Sequence, residues 1–500
     1  MKRNALTYLL LPFLLALLVT ACKDDTLPAS PAEEEEAGSG VYVSVVVNTG
    51  GSNASRVPTP GEDGDLPKQP GTGDENMVHD LNVFFFQGEG INDLDNPNID
   101  CQLYFSGAEL QTSNDNVYHS VAKKVTDVLL LGETYHVLVI ANTGSRITGV
   151  NTLHTLRDYQ IEQPVTDNYT NFLMSSARDV KVTITPSTQN NPVPVKVDVE
   201  RMVARVDCHW ENSYDVKGDN MPSEGGRPSG NEKDQVKILG AALVNRYIGA
   251  AYAFKRVKEV TSNKNEITYL GAEETSSNGV PRNYVLDPLT LSGKENSDYN
   301  YYYTEYVNWN IQIDFQNPFT TSATSTHDNC TYTRWAYARE NVNIVNDNFE
   351  NLKDRSVTGI MFQARYIPAG FTEGDDFYIY PIQGSNRKIY TAEGLSKTYP
   401  DLFKLEDVAS WGTQATRCEV YSEGRCYYVY WIRHADDENT TVISPMEYAI
   451  VRNNIYQLKI NSISKLGTPE PDSNVEEVES NIHIRVKSWN MVEVEVPAFD

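Results

Sequence analysis

Positive charge is scarce in this sequence. Its 42 Lys and Arg face 68 Asp and Glu, a formal charge of −26 over 500 residues. So acidic a chain repels phosphate backbones, which argues against nucleic acid as a partner. Long apolar runs are also scarce. Apart from Ala5 to Val19 no stretch approaches spanning length, so the body beyond it is expected to be soluble. Clustered catalytic groups are missing too. The eight His are scattered and make no HExxH, and neither a GxSxG elbow nor a phosphate-cradling glycine loop occurs. Without CxxC or a His/Cys ligand spacing, a zinc site has little support. Asp375–Asp376 and Asp436–Asp437 read as solvated loop charge, and Asp93 to Asp100 as a surface turn lacking the glycine and closing glutamate of a calcium loop. The reading is a non-enzyme with no metal or cofactor.

The first segment with a clear purpose is LLVTACKDD, Leu17 to Asp25. Lys2 and Arg3 form a positive n-region, Ala5 to Val19 a short apolar core, and the small residues Thr20 and Ala21 precede Cys22. This is a bacterial lipobox: residues 1–21 are a lipoprotein signal and the Cys22 thiol receives the lipid. Losing the signal removes two positive charges and takes the formal charge from −26 to −28. Retention of the apolar stretch as a membrane anchor is the alternative. Residues 22–40, rich in Pro, Glu and Gly, make a flexible tether with nothing to bury.

Long helical periodicities are scarce, whereas 30 Tyr and many Val, Ile and Thr suit pleated, half-buried surfaces. In VYVSVVVN, Val41, Val43, Val45 and Val47 share one face at strand period. A long polar loop follows, whose only basic residues are Arg56 and Lys68. Further strands are expected in MVHDLNVFFFQ, TYHVLVIANTG, VKVDVERMVARVDCHW, VKILGAALVNR, VTGIMFQARYI, RCYYVYWIRH and NNIYQLKINSI. Gly394 to Trp411 invites a short helix. The composition of Thr185 to Pro194 suggests an interdomain connection, dividing the chain into sandwiches at 41–190 and 191–500. The fold class is all-β, two tandem β-sandwich domains.

Five cysteines remain after Cys22, an odd number that argues against a full disulfide framework. Cys418 and Cys426 flank the turn residues SEG and are candidates for one bridge across a hairpin, the alternative being two unpaired core thiols. The aromatic run DYNYYYTEYVNWNI, Asp298 to Ile311, reads as core and rim packing, with stacking against sugar rings as the competing reading.

The C-terminal residues are more specific. VRNNIY (Val451 to Tyr456), a strand, LGTP (Leu466 to Pro469), and a last strand HIRVKSWN ending in a Trp-Asn pair together resemble the closing signature of Bacteroidales fimbrillins, the subunits of type V pili. NMVHDLNVFFF, YHVLVIANTG and ERMVARVDC are similar to earlier strands of that family, and KDD after Cys22 resembles the export signal of Bacteroidetes surface lipoproteins. The resemblance implies two transthyretin-like sandwiches and a precursor lipid-anchored at the outer membrane. It further implies maturation by an arginine-directed protease in the loop after the first strand, with Arg56 the best position, and polymerisation by strand exchange. Partners would be copies of itself, other fimbrial subunits, the maturation protease, and a receptor on a host or bacterial surface. Cleavage would release the segment 41–56 with its four valines. A neighbour's segment 482–496 would replace it, through the rows Ile482, Ile484, Val486 and Val492, Val494, Val496, with a bend near Ser488 to Asn490. A stalk subunit is the first expectation, with tip or anchor components next. A monomeric glycan-binding lipoprotein that keeps its lipid and first strand is the alternative from another class.

Overall fold

A computed structural model describes residues 40–49, 71–88, 90, 95–113, 117–176, 178–216, 233–258, 267–269, 284–291, 306–307, 313–319, 323–327, 330–342, 357–412, 418–434, 446–471 and 482–488. The chain from Gly40 onward is one compact unit dominated by strands. Among the described residues no helix is long and apolar enough to cross a membrane.

The alternating valines do form a strand, Tyr42–Asn48, with buried and half-buried positions alternating along it. It is an interior strand of its sheet. One edge runs parallel to Val193–Arg201, from Val43 opposite Val193 to Asn48 opposite Asp198. The other runs antiparallel to Val117–Ser120 and to Lys123–Lys124. Beyond Val193–Arg201 the sheet continues through Met174–Ser176 and Thr134–Ala141 to Leu81–Phe86 and Ile99–Phe105. LNVFFF shows no alternation because it is buried on both faces. Val83 and Phe85 join the valines of the first strand, while Phe84 and Phe86 face a smaller cluster with Ile140, Leu156 and Phe254.

Thr185 to Pro194 lies inside this sheet. It turns from Val180–Thr183 into Val193–Arg201, so the first strand beyond the expected boundary at 190/191 pairs with the N-terminal strands. Met202 is a bend between Val193–Arg201 and Val203–His209, and the change of core follows it: Val203 still packs into the first core, whereas Ala204, Val206 and Cys208 pack into the second.

Val203–His209 begins a second pair of sheets. It runs antiparallel to Cys330–Arg339 and parallel to Asn454–Ile460, which pairs with Ile482–Ser488 at the edge. Gln235–Val244, Gly359–Ile367 and Arg425–Trp431 make the facing sheet. Val206, Leu458 and Ile460 from one side and Ala241, Phe362 and Trp431 from the other share one apolar core, the arrangement of a sandwich. A small third sheet, Phe377–Tyr380 with Lys388–Tyr390 and Glu419–Tyr421, carries the helix Ala392–Thr398. Thr391 caps that helix by accepting from the Gly394 N–H at 3.0 Å. The expected short helix thus starts just before Gly394, and Leu405–Ser410 follows as a 3-10 turn.

The Cys418–Cys426 bridge is absent: both thiols are free and buried. SEG does turn, but its two arms enter different sheets. Glu419–Tyr421 pairs with Phe377–Tyr380, and Arg425–Trp431 pairs with Gly359–Ile367. Cys418 packs with Tyr378 and Trp411, whereas Cys426 lies in the main core. Burial pushes both thiols up, to about 11 and about 12, so they behave as inert apolar groups. Of the aromatic run Asp298 to Ile311, only the two-residue strand Tyr306–Val307 falls within the described residues.

Candidate functional site

The N-terminal strand and the slot that holds it form the candidate site. Val41 is 1% exposed and Val43, Val45 and Val47 are 0% exposed, packed with Val195, Val197, Val83 and Val139. Burying four valines is worth on the order of 8 kcal/mol before ordering costs. Hydroxyl groups fasten the backbone as well. The Val41 N–H donates to Thr126 Oγ1 at 3.0 Å, the Tyr42 N–H to Ser187 Oγ at 2.8 Å, and the Val45 N–H to Ser120 Oγ at 2.9 Å. Asn48 Nδ2 donates to Asp198 Oδ1 at 3.2 Å near the strand's end.

Just past that end the strand meets a buried charge network linking both cores. Arg201 Nη2 donates to the Thr49 carbonyl at 3.2 Å, Nε to the Glu75 carbonyl at 2.6 Å, and Nη1 to Asn453 Oδ1 at 3.1 Å. The Glu75 carboxylate accepts from Arg205 Nη1 at 2.9 and 3.1 Å and from the Tyr337 hydroxyl. Arg205 Nη2 also donates to Asp207 at 3.0 Å. Burial pushes the Glu75 carboxyl up, but the Arg205 and Arg201 guanidinium groups and its hydrogen bonds outweigh that and hold it below the usual carboxylate range. Burial lowers Arg201 to about 10, still charged at neutral pH. So deep a set of ions persists only because each is paired and hydrogen-bonded.

Both ends of the loop that carries Arg56 return to this network. Thr49 leads into the loop, and Gly71 at its far end accepts from Asn76 Nδ2 at 3.0 Å. A Cβ at Gly71 would come 2.9 Å from Arg201 Nη2, so the return path needs glycine.

The C-terminal signature has a physical role in the same region. Arg452 of VRNNIY is 1% exposed and grips Glu340 through Nε at 2.8 and 2.9 Å. Its other nitrogens donate to the carbonyls of Ala253 and Tyr252 at 2.8 and 2.6 Å. Asn453 adopts φ 59°, a conformation asparagine tolerates, and so presents its side chain to Arg201. In LGTP, a Cβ at Gly467 would approach the Tyr427 carbonyl to 2.4 Å, which explains the glycine beside Thr468, itself bridged to Tyr427. None of these buried ions stood out in the sequence. The acidic and basic letters of ERMVARVD and VRNN were visible, but Arg201 and Arg205 reach Glu75, and Arg452 reaches Glu340, across more than a hundred residues.

Among the other expected positions, Cys22, Arg56, Val492, Val494 and Val496 lie outside the described residues. Ile482, Ile484 and Val486 do not stand free for exchange. Their strand pairs with Asn454–Ile460 of the same chain over its whole length, Ile482 opposite Ile460, Ile484 opposite Leu458 and Val486 opposite Tyr456. No group of three or more metal-ligating side chains occurs among the described residues.

The described residues thus form an all-β body with a buried first strand, closed by the VRNNIY and LGTP segments. Residues 419–496 match the family model "Major fimbrial subunit protein type IV, Fimbrillin, C-terminal", so this part of the chain is similar to fimbrillin C-terminal regions. Among solved structures the chain is similar to a fimbrilin (fimA) from Porphyromonas gingivalis, at 13% identity and a TM-score of 0.40, covering 92% of this chain and 100% of that one. It is similar to a tip fimbrial protein from the same organism, at 13% identity and a TM-score of 0.33, covering 90% and 99%. A fimbrial assembly protein from Parabacteroides distasonis gives 10% identity and a TM-score of 0.27, covering 65% of this chain and 95% of that one. No curated protein matches the chain by sequence.

Proposed function

We propose that this chain is a structural subunit of a cell-surface fimbria that supports adhesion. In this reading it is exported as an outer-membrane lipoprotein on Cys22 and cleaved after Arg56. It then polymerises by exchanging its first strand for the C-terminal segment of a neighbour. One observation carries the proposal: Tyr42–Asn48 is an interior strand, paired on both edges, yet it joins the body only through the polar loop that contains Arg56. A cut there frees the strand and the lipid tether together. The emptied slot would present unpaired backbone edges on Val193–Arg201 and Val117–Ser120 above exposed apolar side chains, a state that favours capture of another strand.

The pairing of Ile482–Ser488 with its own sheet narrows the donor. The row available for exchange is Val492, Val494 and Val496, alternating with Glu493 and Glu495 at strand period. Three buried valines are worth on the order of 6 kcal/mol before ordering costs, to which the two backbone ladders add.

Arg56→Ala and a truncation before Met491 test the reading. Each purified precursor is treated with a trypsin-like protease and run on gels after mild heating and after boiling. Both variants should give folded monomer without a ladder of large species, while the unaltered chain gives the ladder. Ladders persisting in both variants would mean that the subunits join by another surface.

A further inference from the structure

Exposed large apolar side chains concentrate at one place among the described residues. Val128, Leu130 and Leu131 are 49%, 64% and 57% exposed, and Val121 nearby is 40% exposed. Scattered single exposures are ordinary, but three within four positions form a patch that a lone subunit gains nothing by displaying. The turn that carries them is rigidly built. Val128 N and Leu129 N both donate to the Val125 carbonyl at 3.0 Å, Leu129 is fully buried, and Leu130 N donates to the Tyr135 hydroxyl at 3.1 Å. The backbone therefore turns one leucine in and holds its neighbours out.

This turn sits at the mouth of the slot. The Val125 N–H donates to the Val41 carbonyl at 2.8 Å, and Thr126 Oγ1 accepts from the Val41 N–H at 3.0 Å. Val41 is where the first strand enters the body.

We propose that the apolar turn Thr126 to Leu131 seats a second copy of this chain, namely the copy whose C-terminal segment fills the slot. The inference rests on the strand-exchange reading above. A replacement strand keeps both flanking ladders only if it has the polarity of Tyr42–Asn48, parallel to Val193–Arg201 and antiparallel to Val117–Ser120. Its N-terminal end then lies at the Val41 position, and the donor's body precedes it there. In the donor, the sheet-bound strand ends at Ser488 and the valine row begins at Val492. Those four residues reach at most about 14 Å when fully extended. The edge of the donor's last sheet is therefore held close to the mouth of the slot, where Val128, Leu130 and Leu131 stand out. Burying them against that body adds an apolar joint to the inserted strand and fixes the angle between successive subunits.

The test uses the full-length precursor activated by a trypsin-like protease, with polymer growth followed by light scattering. The double variant Leu130→Glu, Leu131→Glu should leave the monomer's melting temperature unchanged, because both side chains face solvent, and slow growth about tenfold or more. In the otherwise unaltered chain, a photoreactive benzoylphenylalanine at position 130 should cross-link in polymer only, to a neighbour's peptide within residues 454–488. Growth of the double variant at the unaltered rate overturns the inference, as do cross-links from position 130 only to lipid or to a neighbour's N-terminal sheet. The truncation before Met491 separates the two levels. If it still polymerises, strand exchange itself has failed. If it abolishes polymer while the double variant grows normally, only the seat is wrong.

Discussion

Glu75 shows what single residues contribute to this molecule. It is 1% exposed and is held by Arg205 and Tyr337 from the strands Val203–His209 and Cys330–Arg339, while its own backbone carbonyl holds Arg201. Removing one partner of a buried ion pair costs about 3 kcal/mol or more, because the remaining charge stays uncompensated. Glu75→Gln is therefore expected to destabilise the precursor by about 3 kcal/mol at pH 7, read from urea unfolding. The sign of the pH dependence follows from the lowered carboxyl. Its contribution is fully present above the ordinary carboxylate value, about 4.3, and is lost as pH falls through the folded value beneath it. The gap between variant and unaltered protein should shrink below about pH 4, and a gap constant across that range would deny Glu75 this role. The network was illegible in the sequence because a buried ion is recognised by its partners, and only the fold brings Glu75, Arg205 and Asn453 together. The valines Val41 to Val47 were legible because their signal is local periodicity.

At the scale of elements, period-2 patterns located the strands well, and what they could not give was pairing. RCEVYSEGRCYY has the turn and the flanking strands of a hairpin, yet the two arms join different sheets because Phe377–Tyr380 and Gly359–Ile367 each offer a free edge. Ile482–Ser488 carries an alternating row that suits exchange, and it is already paired with Asn454–Ile460. Thr185 to Pro194 has the composition of a linker and serves as a turn inside one sheet, since a polar, Pro-rich composition marks a surface turn as readily as a domain boundary. The first strand yields a prediction that separates precursor from polymer. Val45→Asp places a carboxylate at a position 0% exposed and should destabilise the precursor by about 3 kcal/mol in chemical denaturation. After protease treatment the altered strand has left, so any polymer that forms should dissociate at the same temperature as polymer of the unaltered chain. A lower dissociation temperature would mean that the first strand stays in place.

Over the whole molecule, two apolar cores abut where Val203, Tyr337 and Ile455 pack into the first, and the junction is tied by the buried Arg201, Arg205 and Arg452. Such a junction transmits position better than a flexible linker. A subunit built this way would hold its slot at one end of the N-terminal core and its donor segment at the end of the C-terminal sheet in a fixed relation, as a repeating filament requires. The all-β class was legible from composition and periodicity, whereas the junction depends on contacts far apart in sequence. The most direct measurement of the central claim is the identity of the strand lying between Val193–Arg201 and Val117–Ser120 in assembled filaments, read from side-chain density by electron cryomicroscopy. That strand should read Met491 to Val496 of a neighbour, with Tyr42–Asn48 gone. Density for Tyr42 to Asn48 of the same chain in that position would contradict it.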